Sequence, residues 1–354
     1  MGVRINNREI SDDGPCYITF EAGPTHDGFN TAKKLIDLAK EHGADAIKFQ
    51  IIDPDRLVAD KNQLFDFEIL IDKKTGETKK IKRPLYELLK SRSLTKNEWI
   101  ELKKHADTLG LAFFATAGFE DEVELLQDIG CQSIKIASAD LNHYPLLRLA
   151  AQTDMVIQID TGNASLGEVE QAMDVISQAG GRDVIIHQCP SGYPAHLESI
   201  NLNMIPTLKR MFNCPVAFSD HTPGWEMDIA AVALGANLVE KTITLDRCTP
   251  SVEHIMSIEP AQMSNFVKSI RDLEIALGHT RRSLSLDQIE NRKEVRRSFY
   301  LSEDARAGEC LNFCKWEYRR PGFGVGPEHH DLLMNSKLSK DVSKGSSIKW
   351  TDLV

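Results

Sequence analysis

The stretch CYITFEAGPTHDGFNTAKKLIDLAKEHGADAIKFQ, residues 16–50, holds a strand, a turn, a helix and a second strand in that order. CYITFE (16–21) and AIKFQ (46–50) are short β-rich runs, and Ala32, Leu35, Ile36 and Ala39 between them recur at helical spacing. Two such strands joined by a helix predict a parallel βαβ unit. The turn after the first strand decides between two folds. A doubly wound nucleotide-binding sheet favours GxGxxG at that place, and EAGPTHDG does not have it.

The unit repeats along the chain. Further strands are expected at AFFA (112–115), SIKIA (133–137), MVIQID (155–160), VIIHQ (184–188), PVAFSD (215–220) and LVEKTI (238–243), with amphipathic helices between them, such as the one carrying Val169, Ala172, Met173 and Ile176. A last helix carries Phe266, Ile270, Leu273 and Leu277. Eight βα units over roughly 250 residues is the count of a TIM (β/α)8 barrel. FDFEILIDKKTGETKKIKRP (65–84), two alternating runs around a Lys-Thr-Gly-Glu turn, reads as an inserted β-hairpin, either a solvated ornament or a lid over the catalytic end. Beyond Leu277 the polar stretch 279–293 lacks a strand and reads as a linker. LSEDARAG (301–308) and LSKDVSKG (338–345) then share Leu-Ser-x-Asp-x-x-x-Gly, an echo that predicts a small β-rich unit with a pseudo-repeat. The expected division is a barrel over 1–282, a linker over 283–293 and a small domain over 294–354, too small to be comfortable alone.

Composition narrows the function. A hydrophobic share of 42% supports a globular core, and a net charge of −10 excludes a general nucleic-acid or membrane-surface binder. An anionic ligand would need cations gathered locally. MGVRINNREISDD lacks the apolar centre of a secretory signal, and no apolar run is long enough to span a bilayer, so a cytoplasmic protein is expected. Seven scattered cysteines fit reduced thiols; Cys310 and Cys314 read as packed residues rather than half a metal site.

TIM barrels do their chemistry at the C-terminal strand ends. Those ends carry Glu21, Lys48 with Gln50, Thr116, Lys135 with Ser138, Asp160 with Thr161, Gln188, Asp220 with His221, and Glu240 with Thr242. One buried lysine is usually a core ion pair, but polar groups at nearly every end point to a site. Lys48 and Lys135 suit a phosphate or carboxylate, and Glu21 and Glu240 could move protons if burial raises their pKa. The loop SGYPAH (191–196) puts Ser191 and Tyr193 where a substrate-shaping loop would lie.

These residues resemble the sialic acid synthase family. The resemblance rests on EAGPTHDG with AKKLIDLAKEHGADAIKFQ, YELLKSRSL (86–94), FFATAGF (113–119), IKIASADLNHYPLL (134–147), DTGNAS (160–165), QCPSGYP (188–194), FSDHTPG (218–224) and IALG (275–278). The tail, RRSFYLSEDARAGE through YRRPGFGVGP, is similar to the antifreeze-like (SAF) domain that ends such synthases. The resemblance implies condensation of phosphoenolpyruvate with the open-chain aldehyde of an N-acylated hexosamine to a nonulosonic acid, with phosphate leaving by C–O cleavage. It implies that Lys48, Thr116, Lys135 and Ser138 hold phosphoenolpyruvate and that Glu21 and Glu240 act in catalysis. Gln50, Asp160, Thr161, Ser191, Tyr193 and Asp220 would complete the substrate site. Arg320 would reach from the small domain of one subunit into the partner's barrel, in a domain-swapped homodimer.

The resemblance also implies a divalent cation, Mn²⁺ or Mg²⁺, with His221 as one ligand. Family members typically read Glu-Lys/Arg-His-Phe-Thr where this chain has Glu240-Lys241-Thr242-Ile243-Thr244, so Thr242 stands where the second imidazole is expected. A threonine hydroxyl is a weak ligand by comparison. Three accounts stay open: Glu253 or His254 in TPSVEHIMS (249–257) supplies the missing ligand, the metal is held loosely by His221, water and substrate, or the reaction needs none. Two other functions compete with the synthase: a Schiff-base aldolase with Lys135 as nucleophile, and a sugar-binding or regulatory protein on a decayed synthase scaffold.

Overall fold

Eight parallel strands close on one another in sequence order in the computed structural model, which describes residues 2–354. They are β1 (Tyr17–Glu21), β2 (Ala46–Gln50), β3 (Ala112–Thr116), β4 (Ser133–Ile136), β5 (Val156–Asp160), β6 (Val184–Gln188), β7 (Val216–Asp220) and β8 (Leu238–Thr242). Closure is made by β8 on β1, with Thr242 opposite Glu21. The expected (β/α)8 barrel is the fold.

Alternation explains both layers of the barrel. Outward residues such as Ile18, Phe49, Phe113, Ile159, Phe218 and Val239 are buried under the surrounding helices. Inward residues at the start of the strands, Tyr17, Ala46, Val156 and Leu238, form a second apolar cluster with Phe114 and Ile185. Val3, Ile5 and Ile10 belong to that same cluster. They sit on a short N-terminal hairpin, Val3–Ile5 paired with Arg8–Ile10, whose turn residue Asn6 takes the left-handed conformation (φ 51°) that asparagine tolerates. Polarity hid this hairpin in the sequence; the alternation of Val3, Ile5 and Ile10 was its signal.

The insertion is a two-stranded hairpin, Leu64–Asp72 paired with Glu77–Pro84. Phe67 and Ile69 are buried against Leu88 and Val252, with Phe65 and Ile81 beside them. Lys73 ties the hairpin to the loop after β8 through Asp246 at 2.7 Å and Glu259 at 2.5 Å. It is therefore packed, not merely appended.

A second compact unit runs over His279–Val354. Most of the stretch read as a linker forms a helix, Leu286–Val295, with Ser285 and Gln288 in a capping box. None of its residues is buried, so no apolar stripe announced it; the Ser-x-x-Gln cap was the available signal. The strands Ser298–Leu301 and Trp316–Arg319 pair antiparallel over a core that includes Phe299, Leu311, Val325, Leu333 and Ile348. The sequence echo folds back on itself as a pair. Ala305 and Val342 exchange backbone hydrogen bonds of 3.0 and 2.9 Å, Gly308 N–H donates to Leu338 O at 2.7 Å, and Gly345 N–H donates to Leu301 O at 2.9 Å. The aspartates mirror each other too: Asp341 accepts from Ala307 N–H at 2.8 Å and Asp304 from Lys344 N–H at 2.7 Å. Among the described residues no helix is long and apolar enough to cross a membrane.

Candidate active site

Above the apolar layer the barrel interior turns polar within a single step of two residues. Leu238 gives way to Glu240 on β8, Ala46 to Lys48 on β2 and Val156 to Gln158 on β5, and all three polar residues are buried. Glu240 is the hub. It accepts from Lys48 Nζ at 2.9 Å and from Lys135 Nζ at 2.8 and 2.7 Å. Lys48 also pairs with Glu21, and Lys135 with Asp160 Oδ1 at 3.0 Å and Ser219 Oγ at 2.8 Å. Burial opposes ionisation of Glu240, but Lys135 and Lys48 together outweigh it and hold the carboxylate below its usual range. For Glu21 the balance goes the other way, because desolvation exceeds the pull of Lys48 and Glu240 adds repulsion, so its pKa is raised. Lys48 is desolvated too, yet Glu21 and Glu240 keep its ammonium above the usual lysine range.

His187 supports this network from below. Its Nε2–H donates to Gln158 Oε1 at 2.8 Å and its Nδ1 accepts from Ser219 at 2.9 Å, while burial and Lys135 push it well below the usual histidine range. It is a neutral positioning group, and sequence reading passed over it for its neighbour Gln188, whose amide donates instead to Ile200 O at 2.8 Å.

A cavity of about 240 Å³ opens over the hub. Of the residues expected at the site it brings together Glu21, Lys48, Gln50, Thr116, Ser138, Asp160, Tyr193, His221, Glu240 and Glu253. Lys135 lies under it with its ammonium taken up by Glu240, Asp160 and Ser219. Other expected residues are turned elsewhere. Thr161 Oγ1 donates to His187 O at 2.9 Å, and Ser191 Oγ to Gly162 O at 2.7 Å. Asp220 faces the outer layer, where it pairs with Lys241 and binds Thr222 Oγ1 at 2.8 Å. Arg320 is an exposed residue of the second unit. Sequence reading missed the cavity-lining Phe65, Leu88, Arg92 and Val252. The signal for Arg92 was a cation between two serines, after the end of an apolar helical turn in YELLKSRSL.

The donors for a divalent cation are incomplete. His221 is well prepared as one ligand: its Nδ1–H donates to Pro190 O at 3.0 Å, leaving Nε2 bare, and burial keeps the ring neutral. Thr242 offers only a hydroxyl. His254 does not line the cavity; its Nδ1 is hydrogen-bonded to Thr244 Oγ1 at 2.7 Å. Glu253 lines the cavity, yet among the described residues no group of three His, Cys, Asp or Glu comes together that could hold a metal. This donor set does not fit a resident metal, and no step below is routed through one.

Comparison with known proteins places this architecture. The NeuB family profile matches residues 35–282, and the chain belongs to that family. It is 33% identical to the N,N′-diacetyllegionaminic acid synthase of Legionella pneumophila over 98% of both chains. It is also 33% identical to a pseudaminic acid synthase of Campylobacter jejuni, over 99% of both. The crystal structure of an N-acetylneuraminic acid synthetase from Leptospira borgpetersenii superposes with a TM-score of 0.71, covering 82% of this chain and 95% of that one at 29% identity. These relatives are sialic-type acid synthases.

Proposed function

We propose that the chain is a nonulosonic acid synthase that condenses phosphoenolpyruvate with the aldehyde of an N-acylated hexosamine. The observation that carries the reading is the pair of buried lysines sharing Glu240 beneath a cavity edged by Thr116 and Ser138. Lys48 spends two of its three N–H donors on Glu21 and Glu240 and lines the cavity, so the third is free for an anionic oxygen. Thr116 and Ser138 add neutral hydroxyl donors at the next two strand ends. Lys135, below, neutralises Glu240 and Asp160.

C3 of phosphoenolpyruvate attacks the aldehyde carbon, and the aldehyde oxygen takes a proton. Glu21 is placed for that transfer beside Lys48, and burial shifts its pKa upward, toward that of a useful proton donor. Water then adds at C2, and phosphate departs with its bridging oxygen as the C–O bond breaks. The Schiff-base alternative is disfavoured by the surroundings of Lys135, whose Nζ is held by Asp160, Glu240 and Ser219 beneath the cavity. The same reading carries a homodimer in which Arg320 of one subunit serves the barrel of the other. Purified protein is expected to release inorganic phosphate from phosphoenolpyruvate only with an acylated hexosamine present. No release across N-acetylmannosamine and the 2,4-diacetamido hexoses would overturn the reading.

A further inference from the structure

The cavity contains one cation that the reaction above does not use. Arg92 follows the helix Leu85–Lys90, its N–H bonded to Leu89 O at 3.0 Å, and only 4% of the residue is exposed. Lys48 and Lys135 each answer to two carboxylates, whereas Arg92 makes no ion pair among the described residues. Its guanidinium has five N–H donors, and among the described residues it makes a single hydrogen bond, from Nη2 to Ser251 Oγ at 2.9 Å. A buried guanidinium left this open is costly unless a ligand completes it.

Its surroundings narrow what the ligand offers. Glu253 lies next along the wall, a non-glycine residue in the left-handed region (φ 71°), a conformation that costs free energy and persists at ligand sites. Phe65, Leu85, Leu88, Leu89 and Val252 line the same cavity, continuous with the buried cluster under the inserted hairpin. Donor, acceptor and apolar wall side by side complement a secondary amide carrying a short alkyl group. Carbonyl oxygen goes to the guanidinium, N–H to the carboxyl and methyl to the leucines. A phosphate on the acceptor fits less well, since Glu21, Glu240 and Glu253 all face this cavity against one unpaired cation.

We infer that Arg92, with Glu253 and the Phe65–Leu88–Val252 wall, reads an acylamino group of the acceptor sugar and is a specificity-determining residue. This rests on the synthase reading, but it is tested by binding rather than turnover. Calorimetric titrations of wild type, Arg92→Gln and Arg92→Lys would use phosphoenolpyruvate, N-acetylmannosamine, mannosamine and N-acetylmannosamine 6-phosphate separately, with thermal melts confirming folding. Wild type is expected to prefer the acylated, unphosphorylated sugar. Arg92→Gln should weaken it by about 10- to 100-fold, the loss of a charge-assisted bond, with phosphoenolpyruvate affinity unchanged. Arg92→Lys should rescue only part, because a point charge replaces a planar fork. In turnover the defect should appear in the acceptor KM and not in kcat.

Four results overturn the inference: no binding of acylated sugar to wild type, equal binding in Arg92→Gln, loss confined to phosphoenolpyruvate, or preference for the 6-phosphate. Absence of phosphate release from a wild type that still binds the acylated sugar through Arg92 would instead defeat the synthase reading alone.

Discussion

The two ends of the barrel interior are built from the same strands and do opposite work. At the bottom Tyr17, Ala46, Val156 and Leu238 meet the N-terminal hairpin in a dry apolar plug. Two residues further along three of those strands lie Lys48, Gln158 and Glu240, equally buried but wholly polar. Burial alone therefore does not distinguish core from site. The lower layer gains free energy from leaving water, whereas the upper layer holds charges that are tolerable only because each answers another.

That contrast can be broken at either end. Lys48→Met should lower phosphate release by roughly 10²- to 10³-fold, the usual size for one preorganised donor. Its melting temperature should fall little, because Glu21, already raised in pKa, can take up a proton when its partner goes. Full turnover in this variant would remove the site from Lys48. Leu238→Ala should show the reverse, a stability loss of about 2–5 kcal/mol in urea melts with kcat per folded molecule retained.

A gentler test uses pH. Glu253 is raised from 4.5 to about 7, first by desolvation and then by the charge of Glu21, with Arg92 opposing. Between those values the folded chain holds a proton that the unfolded chain has released, so this group's contribution to stability falls as pH rises and is level above about 7. Glu253→Gln removes that dependence. Its advantage over wild type in urea melts should therefore be larger at pH 8 than at pH 5; a constant gap would show that this carboxyl titrates normally. The smallest expected change is Thr242→His, which restores an imidazole at the end of β8 and should tighten Mn²⁺ binding about tenfold. Unchanged affinity would mean that a metal does not bind at this strand end.

Much of the barrel was legible because period-2 and period-3.6 patterns alternate cleanly from residue 16 onward. So were the strand-end residues, since alternation gives the face on which Glu21, Lys48, Lys135 and Glu240 lie. What alternation cannot say is which loop residues fold back over the mouth. Arg92 and Val252 reach the cavity from connections that carry no period. It does tell an inward strand-end group from one turned aside: Asp220 closes β7 on the same face as Phe218, against Lys241 in the outer layer. The helix over Leu286–Val295 stayed hidden because it buries nothing.

The plug formed by Val3, Ile5 and Ile10 also has a bearing on traffic. With the lower opening stopped, reactants and products share one doorway at the top of the barrel. Whatever is released deep in the pocket has to leave by the path along which it came. Departure is then a queue, in which whatever lies nearest the door leaves first.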